Sequence, residues 1–137
     1  MAKNQLRVVI DTNVLISAIG FTGKPRQLFL LIIEKKITTV TSPILLAELH
    51  EVINKKFPEL IHELQIIDNQ IKKHSVIVQP KKAIEVVHDK DDNRVLEAAI
   101  EGECDYITTG DHDLLHLNHF NDIQIVTPDI FLKIFKN

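Results

Sequence analysis

This chain of 137 residues has one cysteine, Cys104, no tryptophan and only four glycines. A lone cysteine excludes an intrachain disulfide and a cysteine-ligated zinc site. It fits a reducing compartment. The cytoplasm is the expected location, because Met1–Gln5 shows no apolar core of a secretory signal. Aromatic residues make up 5%, so the stacking platforms of single-strand binders are scarce. The longest apolar run, Leu28–Ile33, falls far short of the roughly 20 residues that span a bilayer, and no membrane partner is expected. An excess of basic residues is missing too. Sixteen Lys and Arg stand against 19 Asp and Glu, for a net charge of −3. That excludes nucleic-acid binding driven by bulk positive charge. It does not exclude an enzyme whose acids hold a cation. Repeats and Gly/Ser/Pro-rich linkers are absent, so a single domain over residues 1–137 is expected.

What is present is an alternation of short apolar runs and amphipathic segments. Arg7–Ile10, Thr38–Thr41, Ser75–Val78, Asp105–Thr108 and Ile123–Val126 read as strands. Between them, helices are expected over Val14–Ile19, Pro25 to about Lys36, Pro43 to about Phe57, Glu59 to about Lys73, and Asp91 or Asp92 to Ile100. A short helix follows Asp111, and a last one runs from Pro128 to about Phe135. Ser42-Pro43 is a strong helix start, a capping hydroxyl before a proline at the first helical position. Residues 81–90 show no clear pattern. The alternation predicts an α/β fold with a mostly parallel sheet and helices on both faces.

Four acids stand out by position. Asp11 ends the first strand, Glu48 lies inside the helix after the second, Asp92 opens a helix, and Asp111 follows the fourth strand. Ligands of open α/β sheets bind at the carboxyl ends of the strands, where these acids fall. Each aspartate alone could simply cap a helix. Glu48 is harder to dismiss. Ile44, Leu45 and Val52 share its helix stripe, where a carboxylate is costly unless paired or bound to metal. Together the four would repel each other, and a divalent cation would relieve the repulsion. Oxygen donors without cysteine suit Mg²⁺ or Mn²⁺, ions fitted to phosphoryl chemistry.

The segments carrying these acids resemble the PIN-domain ribonucleases. Val9-Ile10-Asp11-Thr12-Asn13-Val14-Leu15 is similar to that family's opening strand with its first acid. Ser42-Pro43-Ile44-Leu45-Leu46-Ala47-Glu48-Leu49 is similar to the helix bearing its glutamate. Asp91-Asp92-Asn93-Arg94-Val95-Leu96-Glu97-Ala98-Ala99 and Thr108-Thr109-Gly110-Asp111-His112-Asp113-Leu114-Leu115 resemble its third and fourth acidic segments. The details look most like the bacterial branch described as toxins of toxin–antitoxin systems. The resemblance implies a three-layer fold around a five-stranded parallel sheet in the order 3-2-1-4-5. It implies Mg²⁺- or Mn²⁺-dependent cleavage of RNA, with Asp11, Glu48, Asp92 and Asp111 as the acidic site. A small antitoxin partner and a homodimer belong to the same implication. Lys90 stands where relatives often have proline, which leaves Asp91 as an alternative to Asp92.

Roles follow from that resemblance. Asp11 would be the central metal ligand, with Asp92 and Asp111 completing one site or two. Glu48 would orient the attacking water or serve a second ion. Asn13 and Thr109 would hydrogen-bond to the carboxylates or to bound water. Asp113 reads as a helix-start residue and His112 as a surface residue. Lys24, Arg26 and Arg94 are the basic residues best placed to meet substrate, whereas the paired lysines read as solvated helix ends. A catalytically silent PIN-like module that binds RNA or a protein is the competing function. The presence of acids at all four positions favours the enzyme.

Overall fold

The computed structural model describes residues 5–20 and 23–136. The reading of the N-terminus falls mostly on Met1–Asn4, outside that range. The strand β1 (Arg7–Ile10) lies between β2 (Thr38–Thr41) and β4 (Tyr106–Thr108), parallel to both. β3 (Ser75–Ile77) extends the sheet beyond β2, and β6 (Ile123–Val126) extends it beyond β4, again in parallel. Between β4 and β6 in sequence, β5 (His119–Phe120) pairs antiparallel with β6.

Among the described residues the sheet therefore has six strands in the order β3-β2-β1-β4-β6-β5. This corrects the expected five-stranded, all-parallel sheet in the order 3-2-1-4-5. The added strand is two residues long, too short to show a period. Its hairpin is closed by Asn121 at positive φ (53°), and Asn118, also at positive φ (71°), ends the preceding helix. Asparagine tolerates that conformation better than most residues.

Among the described residues seven α-helices cover the sheet: α1 (Thr12–Gly20), α2 (Lys24–Ile33), α3 (Pro43–Lys56), α4 (Ile61–His74), α5 (Lys90–Glu101), α6 (His112–Leu117) and α7 (Pro128–Lys136). The period-2 alternation of the central strand sends its side chains to opposite layers. Val8 and Ile10 enter a core built with α1, α2, α3, α4 and α7. Val9 enters a second core with Val95, Leu96, Ala98 and Ala99 of α5 and Leu114 of α6. Burial on both faces is why β1 reads as an unbroken apolar run. Burial pushes the Cys104 thiol up to about 12, so it packs as a small apolar group.

Several boundaries moved. α2 stops at Ile33, short of Lys36, and Lys35 turns left-handed (φ 60°). Pro58–Leu60 forms a separate 3-10 turn before α4. Residues 81–89 form neither helix nor strand and are held by side chains of α5, not by a ladder. Asn93 Oδ1 accepts from Val86 N and Val87 N, each at 3.0 Å, and its Nδ2 donates to Val87 O at 2.9 Å. Glu97 Oε2 accepts from Ile84 N at 2.8 Å. Side-chain anchoring of this kind leaves no periodicity in the strap itself. Gly102 is fixed by packing, since a Cβ there would come within 2.5 Å of Val40 Cγ1.

Candidate active site

The parallel arrangement of β1, β2 and β4 puts their carboxyl ends on one edge of the sheet. Asp11 continues β1, and its N–H donates to Thr108 O at 3.0 Å. That register sets Asp11 beside Thr109. The Thr109 hydroxyl donates to Asp11 Oδ2 at 2.7 Å and accepts from Asp111 N at 2.9 Å. One buried hydroxyl thus ties the acid after β1 to the acid after β4. Asp111 Oδ2 accepts from Leu114 N at 3.1 Å, so this residue caps α6. Asp92 is not the cap of α5. Asp89 fills that position, accepting from Asp91 N at 2.8 Å and Asp92 N at 3.4 Å. With the cap supplied elsewhere, the Asp92 carboxylate is turned inward, 6% exposed.

Carboxylate oxygens of Asp92, Asp111 and Asp113 lie within 4.8 Å of one another. Asp113, read from the sequence as a plain helix-start residue, is therefore brought to the cluster. Its spacing two residues after Asp111 was the available signal. Glu48 is not one of those three. Its Oε1 accepts from the Thr12 hydroxyl at 2.8 Å, and Asp91 and Asp11 are the acids that crowd it. The two candidate third acids thus part company: Asp92 faces Asp111, and Asp91 faces Glu48. Thr12 escaped the sequence reading, although it directly follows the strand-terminal acid. Asn13 is exposed and, among the described residues, its side chain makes no hydrogen bond to a carboxylate. It lines a cleft of about 510 Å³ beside Asp111.

Electrostatics records the crowding. Burial, then the neighbouring Asp111 carboxyl, pushes Asp92 up to about 8. Burial pushes Glu48 up to about 7, with Asp91 adding to the rise and the Thr12 hydroxyl opposing it. Burial also raises Asp11, against hydrogen bonds from Thr109 and from the backbone of Thr12 and Asn13. Asp92, and in part Glu48, retain protons near neutrality unless a cation replaces them. The donor set fits a hard divalent ion. It offers only oxygens, and Asp92 Oδ2 is buried with no hydrogen-bond partner.

Two of the expected substrate-facing cations are occupied in holding the fold. Arg26 donates to Ala18 O and Ile19 O. Arg94 pairs with Glu97 at 2.8 Å and donates to Ile84 O. Lys24 is half exposed and only loosely paired with Asp129 at 3.8 Å.

The model of the PIN domain matches residues 7–113, a span that includes Asp11, Glu48, Asp91, Asp92, Asp111 and Asp113. The chain belongs to the PIN-domain family. PIN domains are generally metal-dependent nucleases, and the acidic cluster of this PIN domain fits a metal site. An uncharacterized protein of Methanocaldococcus jannaschii is 34% identical, over 99% of this chain and 96% of that protein. Its likeness extends across the whole PIN domain and the segment that follows, and its description names no activity.

Thr109→Val is expected to act at both acids. It removes the donor to Asp11 and leaves Asp111 N–H without its acceptor, so stability should fall by about 1–3 kcal/mol. Mn²⁺ affinity should weaken by roughly tenfold or more, as when other groups that orient metal ligands are removed. Urea denaturation and Mn²⁺ titration measure the two effects.

Proposed function

We propose that this PIN domain is a Mg²⁺- or Mn²⁺-dependent endoribonuclease. The observation that carries the reading is the buried Asp92 carboxylate, with its unpartnered oxygen, set against Asp111 and Asp113. Asp92, Asp111 and Asp11 would hold the cation, with Asp113 at the open side. A bound cation there supplies positive charge for the phosphate oxygens and activates water. The protein's own residues do the rest. Thr109 keeps Asp11 and Asp111 in place through one hydroxyl. Thr12 orients Glu48, whose proton affinity near 7 suits it to accept a proton from the attacking water at neutral pH.

RNA as the substrate rests on the family resemblance. So do the role of toxin in a toxin–antitoxin pair, a small antitoxin partner and a homodimer, whereas a cytoplasmic setting rests on the lone cysteine. The test is cleavage of a mixed RNA panel by purified protein with Mn²⁺, with Mg²⁺ and with EDTA. Cleavage with either ion and none with EDTA is the expected result. Cleavage that persists in EDTA would contradict the proposal.

A further inference from the structure

Away from the carboxylates lies a second cavity, of about 600 Å³, within the range of about 300–1,000 Å³ typical of small-ligand sites. Its wall includes Glu103, which precedes β4, and Asn121, which precedes β6. It therefore lies at the amino ends of the parallel strands, the edge opposite Asp11 and Asp111. Along α5, about 14 Å of helix separates Glu101 of this wall from Asp92 of the acidic cluster.

The start of the strap forms one side of the cavity. Half-buried Ile84, Ile100 and Phe120 give it apolar walls. Lys81 and Lys82 are exposed beside them and, among the described residues, form no ion pair. Two of the acids on the wall are already engaged. Glu97 is held by Arg94 at 2.8 Å and by Ile84 N at 2.8 Å, and Glu101 Oε1 accepts from Lys81 N at 3.3 Å. Glu103 is exposed and, among the described residues, in no ion pair. Two ammonium groups, a carboxylate and the Asn121 amide thus surround an apolar slot.

We infer that this cavity binds an adenine nucleotide, and that the nucleotide joins the strap to the end of α5. Each part of the wall matches a part of that ligand. The adjacent lysines meet phosphate as point charges. Phe120 and its aliphatic neighbours suit the flat face of a base. The Asn121 amide carries the donor and acceptor that pair with adenine N7 and N6. The Glu103 carboxylate can accept from ribose hydroxyls, as acids of dinucleotide sites do. An inorganic anion would use the lysines alone, and an apolar carboxylate would leave Glu103 and Asn121 without a role. The inference stands apart from the ribonuclease reading, because none of the acids of the cluster takes part.

The test is calorimetric titration of the full chain with adenosine monophosphate in EDTA, which removes any cation that could bridge phosphate to the acidic cluster. Cytidine monophosphate and inorganic phosphate are the comparison ligands. The adenine nucleotide is expected to bind about fivefold or more tighter than the cytosine one, through the amide contact. Lys81→Glu combined with Lys82→Glu should weaken its binding by about tenfold or more. Asn121→Gly tolerates the positive φ of that turn and removes the amide, so it should erase the preference for adenine. Bound nucleotide should also slow amide exchange at Ile84, Val86 and Val87, whose N–H groups hold the strap to α5. A parent chain that binds no adenosine monophosphate would overturn the inference. So would inorganic phosphate binding as tightly, unchanged affinity in the double lysine variant, a preference that survives Asn121→Gly, or strap exchange that the nucleotide leaves unchanged.

Discussion

Replacing Asp92 by asparagine is expected to raise the melting temperature of the metal-free protein at pH 8. Asp92 is a buried carboxyl whose proton affinity is raised to about 8 by burial and by Asp111. A group raised in the folded state contributes stability below its unfolded value and loses it as the pH climbs through the folded value. Glu48, raised to about 7, behaves the same way. The metal-free chain should therefore lose stability between about pH 4 and pH 8. Asp92→Asn keeps the shape and removes the charge. A gain on the order of 2 kcal/mol, or roughly 5 °C or more, is expected at pH 8 for a domain of this size. Near pH 4 the gain should vanish, because the parent carboxyl is then protonated. Thermal melts in EDTA at the two pH values measure it. An active-site substitution that stabilises would mean that the cluster is kept for function at the expense of the fold.

Asp11→Asn is expected to reduce metal-dependent RNA cleavage on the order of 10³-fold or more, equivalent to about 4 kcal/mol of transition-state stabilisation. Asp11 borders the group of Asp92, Asp111 and Asp113, tied to Asp111 through the Thr109 hydroxyl. It continues the central strand and is 5% exposed, with Thr109 donating to Oδ2. The amide is nearly isosteric and can still accept from Thr109, so the fold should persist while the charge is gone. Single-turnover cleavage of RNA with saturating Mn²⁺ separates the loss of chemistry from weaker binding. Purifying the variant identically to the parent controls for contaminating nuclease, and residual cleavage at the parent rate would remove Asp11 from the site.

Much of this arrangement is legible from residue order. The β-branched run Arg7–Ile10 and the Ser42-Pro43 helix start sit where the pattern puts them. Parallel strands then force their terminal acids onto one edge, which is why Asp11 and Asp111 meet through Thr109. Other features are illegible for physical reasons. Whether Asp91 or Asp92 turns inward depends on which residue caps α5, and Asp89 decides that from a segment with no readable period. The strap over 81–89 is ordered by Asn93 and Glu97, side chains of the following helix that leave no period in the backbone they hold. Arg26 and Arg94 sit in sequence as a nuclease's substrate-binding cations would, yet tertiary contacts engage both. Asp113 and Thr12 reach the cluster only because a short helix and the head of α1 turn them there.

The most direct measurement is the melting temperature at pH 8 as Mn²⁺ is added to the parent chain and to Asp92→Asn. A cation that binds the folded state at about 100 times its dissociation constant adds about 2.7 kcal/mol. The parent chain should therefore rise by several degrees, and Asp92→Asn should start higher and respond little. A parent chain that does not respond to Mn²⁺, or a variant that rises as much as the parent, would contradict the account of Asp92, Asp111 and Asp113 as the heart of a metal site.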